Sequence, residues 1–379
     1  MALTSATPSQ QNRQMTRRIP LNDLVRQSRL IHDELAACAR RVIERGWYVL
    51  GSECTGFETE FAAYCSVAHC IGVGNGTDAI ELALRAAGIR EGDGVATVAN
   101  AGFYASTAIH AIGAAPVYVD VDGTHLMCVD SLKQALARQT VRAVIVTHLY
   151  GRLADVEAVI AVCKPLGIPV IEDCAQAHGA SRNGRKAGSF GSAGCFSFYP
   201  TKNLGAVGDG GAVTTNDAAL AERLRQLRQY GWDSKYRVGR AGGRNSRLDE
   251  MQAALLRIKL PHLDRWNEER RSLARRYARE MQNARVRCPN EFASDNVAHL
   301  FVVCCDDREA FRRHLDERGV SSDIHYPIPD HLQPGYGGAT VACGLPQTER
   351  LASEIVTIPC FAELSEDEIK QVIEAVNSW

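Results

Sequence analysis

The chain has 379 residues, 45% of them apolar, and its 43 basic and 44 acidic side chains leave a formal net charge of −1. That length and composition support one large domain plus a smaller one, with ample material for a core. So even a charge balance argues against nucleic acid or an anionic membrane as the main partner, and the longest apolar runs are strand-length, too short to span a bilayer.

The first eighteen residues, MALTSATPSQQNRQMTRR, are polar and lack the apolar stretch of a secretory signal, so they read as a disordered tail over 1–18 on a cytoplasmic protein. The thirteen cysteines are irregularly spaced, and many lie inside apolar runs, as Cys70 and Cys304–Cys305 do. They read as reduced, buried thiols. Cys174 and His178 have helical i,i+4 spacing, but no second ligand pair accompanies them and no metal site is expected.

From residue 70 to about 215, short β-branched strands alternate with amphipathic helices. HCIGVG leads into TDAIELALRAAG, GVATVA into STAIHAIGA, and APVYVDVD follows. VRAVIVTHLYG leads into ADVEAVIAVCKPLG, and IPVIEDCAQAHGA comes next. Strands separated by helices predict a mainly parallel, doubly wound α/β sheet with its ligand at the carboxyl ends of the strands. After residue 217 two helical stretches flank the glycine-rich, charged segment YGWDSKYRVGRAGGRNSRLDE, and the helical run from Asp249 to about Gln282 is expected to bend near Pro261. AHLFVVCC, REAFRRHLDERG and SEDEIKQVIEAVNSW then form a strand–helix pattern with its own core. The expected division is a large domain over 19–258 and a small C-terminal α/β domain over 259–379.

Three stretches carry chemistry. In IGVGNGTDAIELAL a strand runs through glycines 74 and 76 into a helix, whose first N–H groups form a ready anion site, although many such turns hold no ligand. In VIEDCAQAHGA, Glu172 and Asp173 end an apolar strand, so at least one carboxylate is buried and needs a cationic partner. That partner is either an arginine or the ring nitrogen of a cofactor. In CFSFYPTKNLGAVGDGGAVTT, Lys202 lies between an aromatic strand ended by Pro200 and a glycine-rich turn before Ala212–Thr215. Burial there would lower its pKa and make it a nucleophile for carbonyls, and a lysine that snorkels out of the loop is the equal alternative from these residues alone. One cofactor needs an amine for its aldehyde, a phosphate cradle and a carboxylate for its pyridine nitrogen. The three stretches together therefore point to pyridoxal phosphate.

At this point the chain resembles the DegT/DnrJ/EryC1/StrS sugar aminotransferases, from IPLNDL near residue 19 through GNGTDAIELAL, IEDCAQAHGA, SFYPTKNLGAVGDGGAV and GRNSRLDEMQAALL to IHYPIPDHLQP. The resemblance implies the fold-type-I aminotransferase architecture and a homodimer with shared active sites. It implies that Lys202 forms the Schiff base and moves the proton, with pyridoxal 5'-phosphate cycling through pyridoxamine 5'-phosphate. Asp173 would pair with the pyridine nitrogen and Gln176 with the ring hydroxyl. Gly76, Thr77, Asp78 and Ser197 would hold the phosphate, and Asn245 would reach the cofactor of the neighbouring subunit. The stacking aromatic falls in NAGFYAST, where Phe103 is expected over Tyr104 with a one-residue ambiguity. Arg152, where a glutamine is common, reads as solvated.

The run HYPIPDHLQ looks most like members that act on a 3-keto nucleotide sugar, which places Tyr199, His325 and Tyr326 at the hexose; a rigid proline-rich loop with a surface histidine is the bland alternative. Lys235, Arg237 and Arg240 are plausible partners for the diphosphate or simply solvated charges. The implied reaction moves an amino group from an amino acid, L-glutamate by resemblance, to a dTDP-3-keto-6-deoxyhexose, in lipopolysaccharide or antibiotic biosynthesis. A 4-keto-sugar aminotransferase is the main rival. A dehydratase on this scaffold carries histidine at the Schiff-base position, so Lys202 counts against it, and a non-catalytic regulator would be expected to have lost Lys202 or Asp173.

Overall fold

The computed structural model describes residues 18–336, 340–341 and 344–379. The expected N-terminal tail lies outside them except for Arg18, which is held by Asp316 and by the Ser321 hydroxyl.

Among the described residues, eight strands form one sheet. Its order in space is His69–Val73, Gly211–Thr215, Ala193–Ser197, Val170–Asp173, Val141–Thr147, Gly94–Val98, Ala115–Val119 and Thr340–Val341. Every pairing is parallel except the two made by Gly211–Thr215, which runs against both neighbours. The strands that share a direction present their carboxyl ends at one edge. Gly74–Gly76, Asn100–Tyr104, Thr147, Asp173 and Ser197 therefore meet there, though they are far apart in sequence.

The strand before Lys202 shows how alternation divides the labour. Phe196 and Phe198 are buried and pack edge-on against Phe61 at 4.9 and 5.4 Å between centroids. Each buried phenylalanine contributes roughly 1.5–3 kcal/mol, which anchors the strand. The intervening Ser197 and the following Tyr199 point the other way, towards the sheet edge where the cavity lies.

A separate apolar cluster lies at the C-terminal side, built from Leu273, Tyr277, Phe301, Val303, Phe311, Leu315, Val356 and Val372. Ile19 joins it, pairing with Val320. The helical run bends as expected: Glu250–Lys259 is α-helical, Leu260–His262 tightens to a 3-10 turn at the proline, and Leu263–Glu280 resumes. Every described cysteine is free, most of them buried. No helix among the described residues is long and apolar enough to cross a membrane.

Candidate active site

A cavity of about 630 Å³ opens at the carboxyl edge of the sheet, lined by Gly76, Thr77, Asp78, Tyr104, Asp173, Gln176, Ser197, Tyr199 and Lys202. A second cavity of about 310 Å³ shares Tyr104, Gln176, Tyr199 and Lys202 with it and continues to His325, Tyr326, His299 and Arg270.

Lys202 is set by a tight turn. Its N–H donates to the Tyr199 carbonyl at 2.9 Å, and the Ala206 N–H returns to the Phe198 carbonyl at 2.8 Å. A Cβ at Gly205 would meet the Pro200 oxygen at 2.3 Å, so only glycine lets the chain fold back this closely. The buried neighbour Asn203 donates to Asn267 Oδ1 and to the Val297 carbonyl, tying the turn to the helix Leu263–Glu280. Burial pushes the Lys202 amine down to about 8, opposed by the nearby Asp173 carboxylate. Lys202 is partly exposed, into the cavities that it lines rather than out of its loop.

Asp173 is 6% exposed, and burial pushes its carboxyl up, while the Ala175 N–H at 3.1 Å and Lys202 favour its charged form. Its neighbour Glu172 points to the opposite face. There it accepts from the backbone N–H groups of Gly188 (2.9 Å), Phe190 (2.7 Å) and Gly191 (2.7 Å) and meets His148 Nε2 at 3.0 Å. Among the described residues no arginine pairs with either acid; alternation sends one carboxylate into a backbone nest and the other to the cavity. His148, Glu172 and Cys174 have metal-ligand atoms within 4.8 Å of one another. Yet Glu172 already accepts these bonds and His148 Nδ1 accepts from the Ala154 N–H at 3.1 Å.

The turn into the helix Gly76–Ala86 is capped by Asn75, whose side chain takes the Asp78 N–H at 2.8 Å. Gly76 and Thr77 keep their N–H groups for a ligand. A Cβ at Gly76 would stand 2.6 Å from Ser197 Cβ, so the glycine keeps open a cradle between the helix start and the Ser197 hydroxyl. The Asp78 carboxylate faces Ser246 Oγ at 2.6 Å and Arg244 Nη1 at 3.3 Å. With its N–H capped as well, Asp78 frames the cradle and offers it no free donor. A phosphate cradle, a buried carboxylate and a buried amine of lowered pKa fit the donor set that pyridoxal phosphate requires.

Two aromatic placements differ from expectation. Phe103 sits at φ 68° and turns its ring away from the cavity onto His110 (6.1 Å) and Tyr336 (4.7 Å). Its N–H donates to Asp330, which also takes the Ser106 hydroxyl at 2.6 Å. Tyr104, the first residue of the next helix, takes the cavity position, with its ring 6.0 Å from Tyr326. The left-handed residue before the helix rotates the chain by one position, which spacing in the sequence does not reveal. Arg152, expected to be solvated, pairs with Glu291 and is only 26% exposed.

Gln176 accepts the Tyr150 N–H at 2.6 Å and donates to Tyr326 Oη at 3.3 Å, retaining an N–H for a ligand. His325 Nδ1 meets Thr357 Oγ1 at 2.8 Å, and burial lowers its pKa. Tyr199 is 54% exposed at the mouth. Asn245, Lys235, Arg237 and Arg240 are exposed and lie outside both cavities of their own chain. Arg270 and His299 line the site without having been anticipated, because neither belongs to a motif and only the packing of the Leu263–Glu280 helix and the C-terminal segment brings them in.

The family model described as the DegT/DnrJ/EryC1/StrS aminotransferase family matches residues 29–377, and the chain belongs to that family. The chain is similar to the dTDP-3-amino-3,6-dideoxy-alpha-D-galactopyranose transaminase of Aneurinibacillus thermoaerophilus, at 45% identity over 95% of this chain and 99% of that one. It superposes on S. venezuelae DesV in complex with a ketimine intermediate with a TM-score of 0.92 at 42% identity, over 96% of this chain and 99% of that one. NtdA from Bacillus subtilis with bound cofactor PMP gives 0.88 at 27% identity, over 97% and 86%. The fold is thus that of the fold-type-I aminotransferases.

Proposed function

We propose that this protein transfers the amino group of an amino acid, L-glutamate on the family resemblance, to the C3 keto group of a dTDP-linked 6-deoxyhexose, with pyridoxal 5'-phosphate as cofactor. The single observation that carries the chemistry is the meeting in one cavity of Lys202, the buried Asp173 carboxylate and the cradle between Gly76 and Ser197. The similarity to a dTDP-3-amino-sugar transaminase supports the substrate class.

Gly76 and Thr77 N–H, Thr77 Oγ1 and Ser197 Oγ would hold the cofactor's phosphate, Asp173 its pyridine nitrogen and Gln176 its ring hydroxyl; Tyr104, rather than Phe103, would cover the ring. When bound, the cofactor supplies the aldehyde and the electron sink. The Asp173 carboxylate would keep a proton on the pyridine nitrogen, because a cation beside it favours its charged form against the effect of burial. Neutral Lys202 Nζ takes the proton from the donor's Cα and later returns one to the sugar carbon that receives the amine. Tyr326 and His325 lie over the second cavity where the hexose would enter, with Tyr199 at its mouth.

The reading includes a homodimer with Asn245 at the partner's phosphate. Exposed Trp47, Tyr48, Tyr199, Val207, Tyr236 and Val238 offer apolar surface for such a partner to cover. It also includes a large cofactor domain over 19–258 and a small domain over 259–379, with Ile19 packing, and the strand Thr340–Val341 pairing, across the division.

The test is the absorbance of the purified protein with pyridoxal phosphate, before and after L-glutamate, beside Lys202→Ala. A lysine-dependent band that glutamate bleaches, and that a 3-keto but not a 4-keto dTDP-sugar restores, supports the proposal. A band that does not depend on Lys202 defeats it.

A further inference from the structure

The helix Leu263–Glu280 carries six arginines, and five of them have ordinary surface partners. Arg265 pairs with Glu269, Arg271 and Arg275 with Glu268, and Arg276 and Arg279 with Glu280. Arg270 differs. It is 4% exposed, its Nη1 donates to the Cys360 carbonyl at 2.7 Å, and among the described residues it makes no ion pair. Glu363 is near enough to influence it electrostatically but does not reach ion-pair distance. A buried guanidinium with one neutral acceptor is poorly compensated, and a protein keeps such a group most readily where a ligand anion completes it.

The location says which anion. Arg270 lines the 310 Å³ cavity together with Lys202, and that cavity opens into the cofactor-sized one through Lys202, Gln176, Tyr104 and Tyr199. His299 and His325 share the lining and are held neutral by burial. Arg270 is therefore a permanent positive charge in a cavity that Lys202 also lines. Asp323, the lining acid, is exposed at the rim and takes the Ile324 N–H at 2.8 Å. A planar guanidinium with free donors matches a carboxylate in two parallel hydrogen bonds. A diphosphate carries more charge than one enclosed arginine neutralises.

We infer that Arg270 anchors the carboxylate of the amino-acid donor, holding its amine at the Lys202 end of the cavity. This rests on the aminotransferase reading above and adds to it the donor's binding residue.

The test compares wild type, Arg270→Gln and Arg270→Lys holoenzyme in two separate half-reactions and in calorimetric binding of glutarate, a dicarboxylate without an amine. The expected result for Arg270→Gln is an apparent glutamate affinity ~10–100-fold weaker, from the loss of a charge-assisted pair. Glutarate binding should be lost in parallel. The half-reaction of the pyridoxamine phosphate form with the keto sugar should stay within ~3-fold. Arg270→Lys keeps the charge and the reach to the Cys360 carbonyl and should fall between. If Arg270→Gln does not fold, a lysine variant that binds glutarate as tightly as wild type overturns the inference. Equal losses in both half-reactions, or none in either, also overturn it. A wild type that accepts no amino donor, but loses glutarate binding on Arg270→Gln, would defeat the aminotransferase reading and leave the carboxylate site standing.

Discussion

The nucleophilicity of Lys202 can be read as a titration. Its amine is held at about 8 against an ordinary value of 10.5, because burial disfavours the ammonium and only Asp173 opposes that effect. At about pH 7.5 roughly a quarter of Lys202 is then neutral, against about a tenth of a per cent for an unperturbed lysine, a gain of order 200-fold in reactive amine. The cofactor-free protein mixed with pyridoxal, which lacks the phosphate, should form its lysine-dependent absorbance band at a rate that rises with pH. That rate should reach half its plateau near pH 8, with Lys202→Ala showing no band. Asp173→Asn removes the anion that favours the ammonium, so its midpoint should move lower and its rate at neutral pH should rise. A wild-type midpoint above about 10, or an upward move in Asp173→Asn, would refute the reasoning that burial sets the amine and Asp173 opposes it.

Three further outcomes are expected. Because the folded pKa of Lys202 lies below its unfolded value, the charged form costs stability; the cost is full below about pH 8 and fades by about 10.5. Lys202→Met should therefore stabilise the cofactor-free protein at pH 7 by about 1–3 kcal/mol, the cavity's water keeping it under the full linkage value, with the gain gone near pH 10.5 in denaturant melts. Glu172→Gln keeps one oxygen for either Gly188 or the pair Phe190 and Gly191 and turns an amide N–H₂ towards the other, and should cost roughly 3 kcal/mol in urea unfolding; a change under about 0.5 kcal/mol would mean the nest relaxes freely. Gly76→Ala drives a methyl into Ser197 and should weaken pyridoxal phosphate binding ~10–100-fold by fluorescence titration while sparing pyridoxal, so equal losses for both would show damage beyond the phosphate cradle.

Local chemistry made much of this protein legible in one dimension. The alternation of apolar strands and amphipathic helices marked the sheet. Glycine and proline marked the turns around Gly76 and Lys202, and a pair of acids ending an apolar strand marked Asp173. These signals survive because each depends on a few adjacent residues: period-two burial, a missing Cβ, or a charge where water is scarce. The structure alone decided that Gly211–Thr215 runs against its neighbours, that Glu172 turns into a nest of backbone N–H groups, and that Tyr104 rather than Phe103 faces the cavity. It also decided that one arginine of six on a charged helix is buried and lines a cavity shared with Lys202. Each of these rests on contacts between segments tens to hundreds of residues apart, or on the sign of one backbone angle. A pattern of neighbours in sequence contains neither.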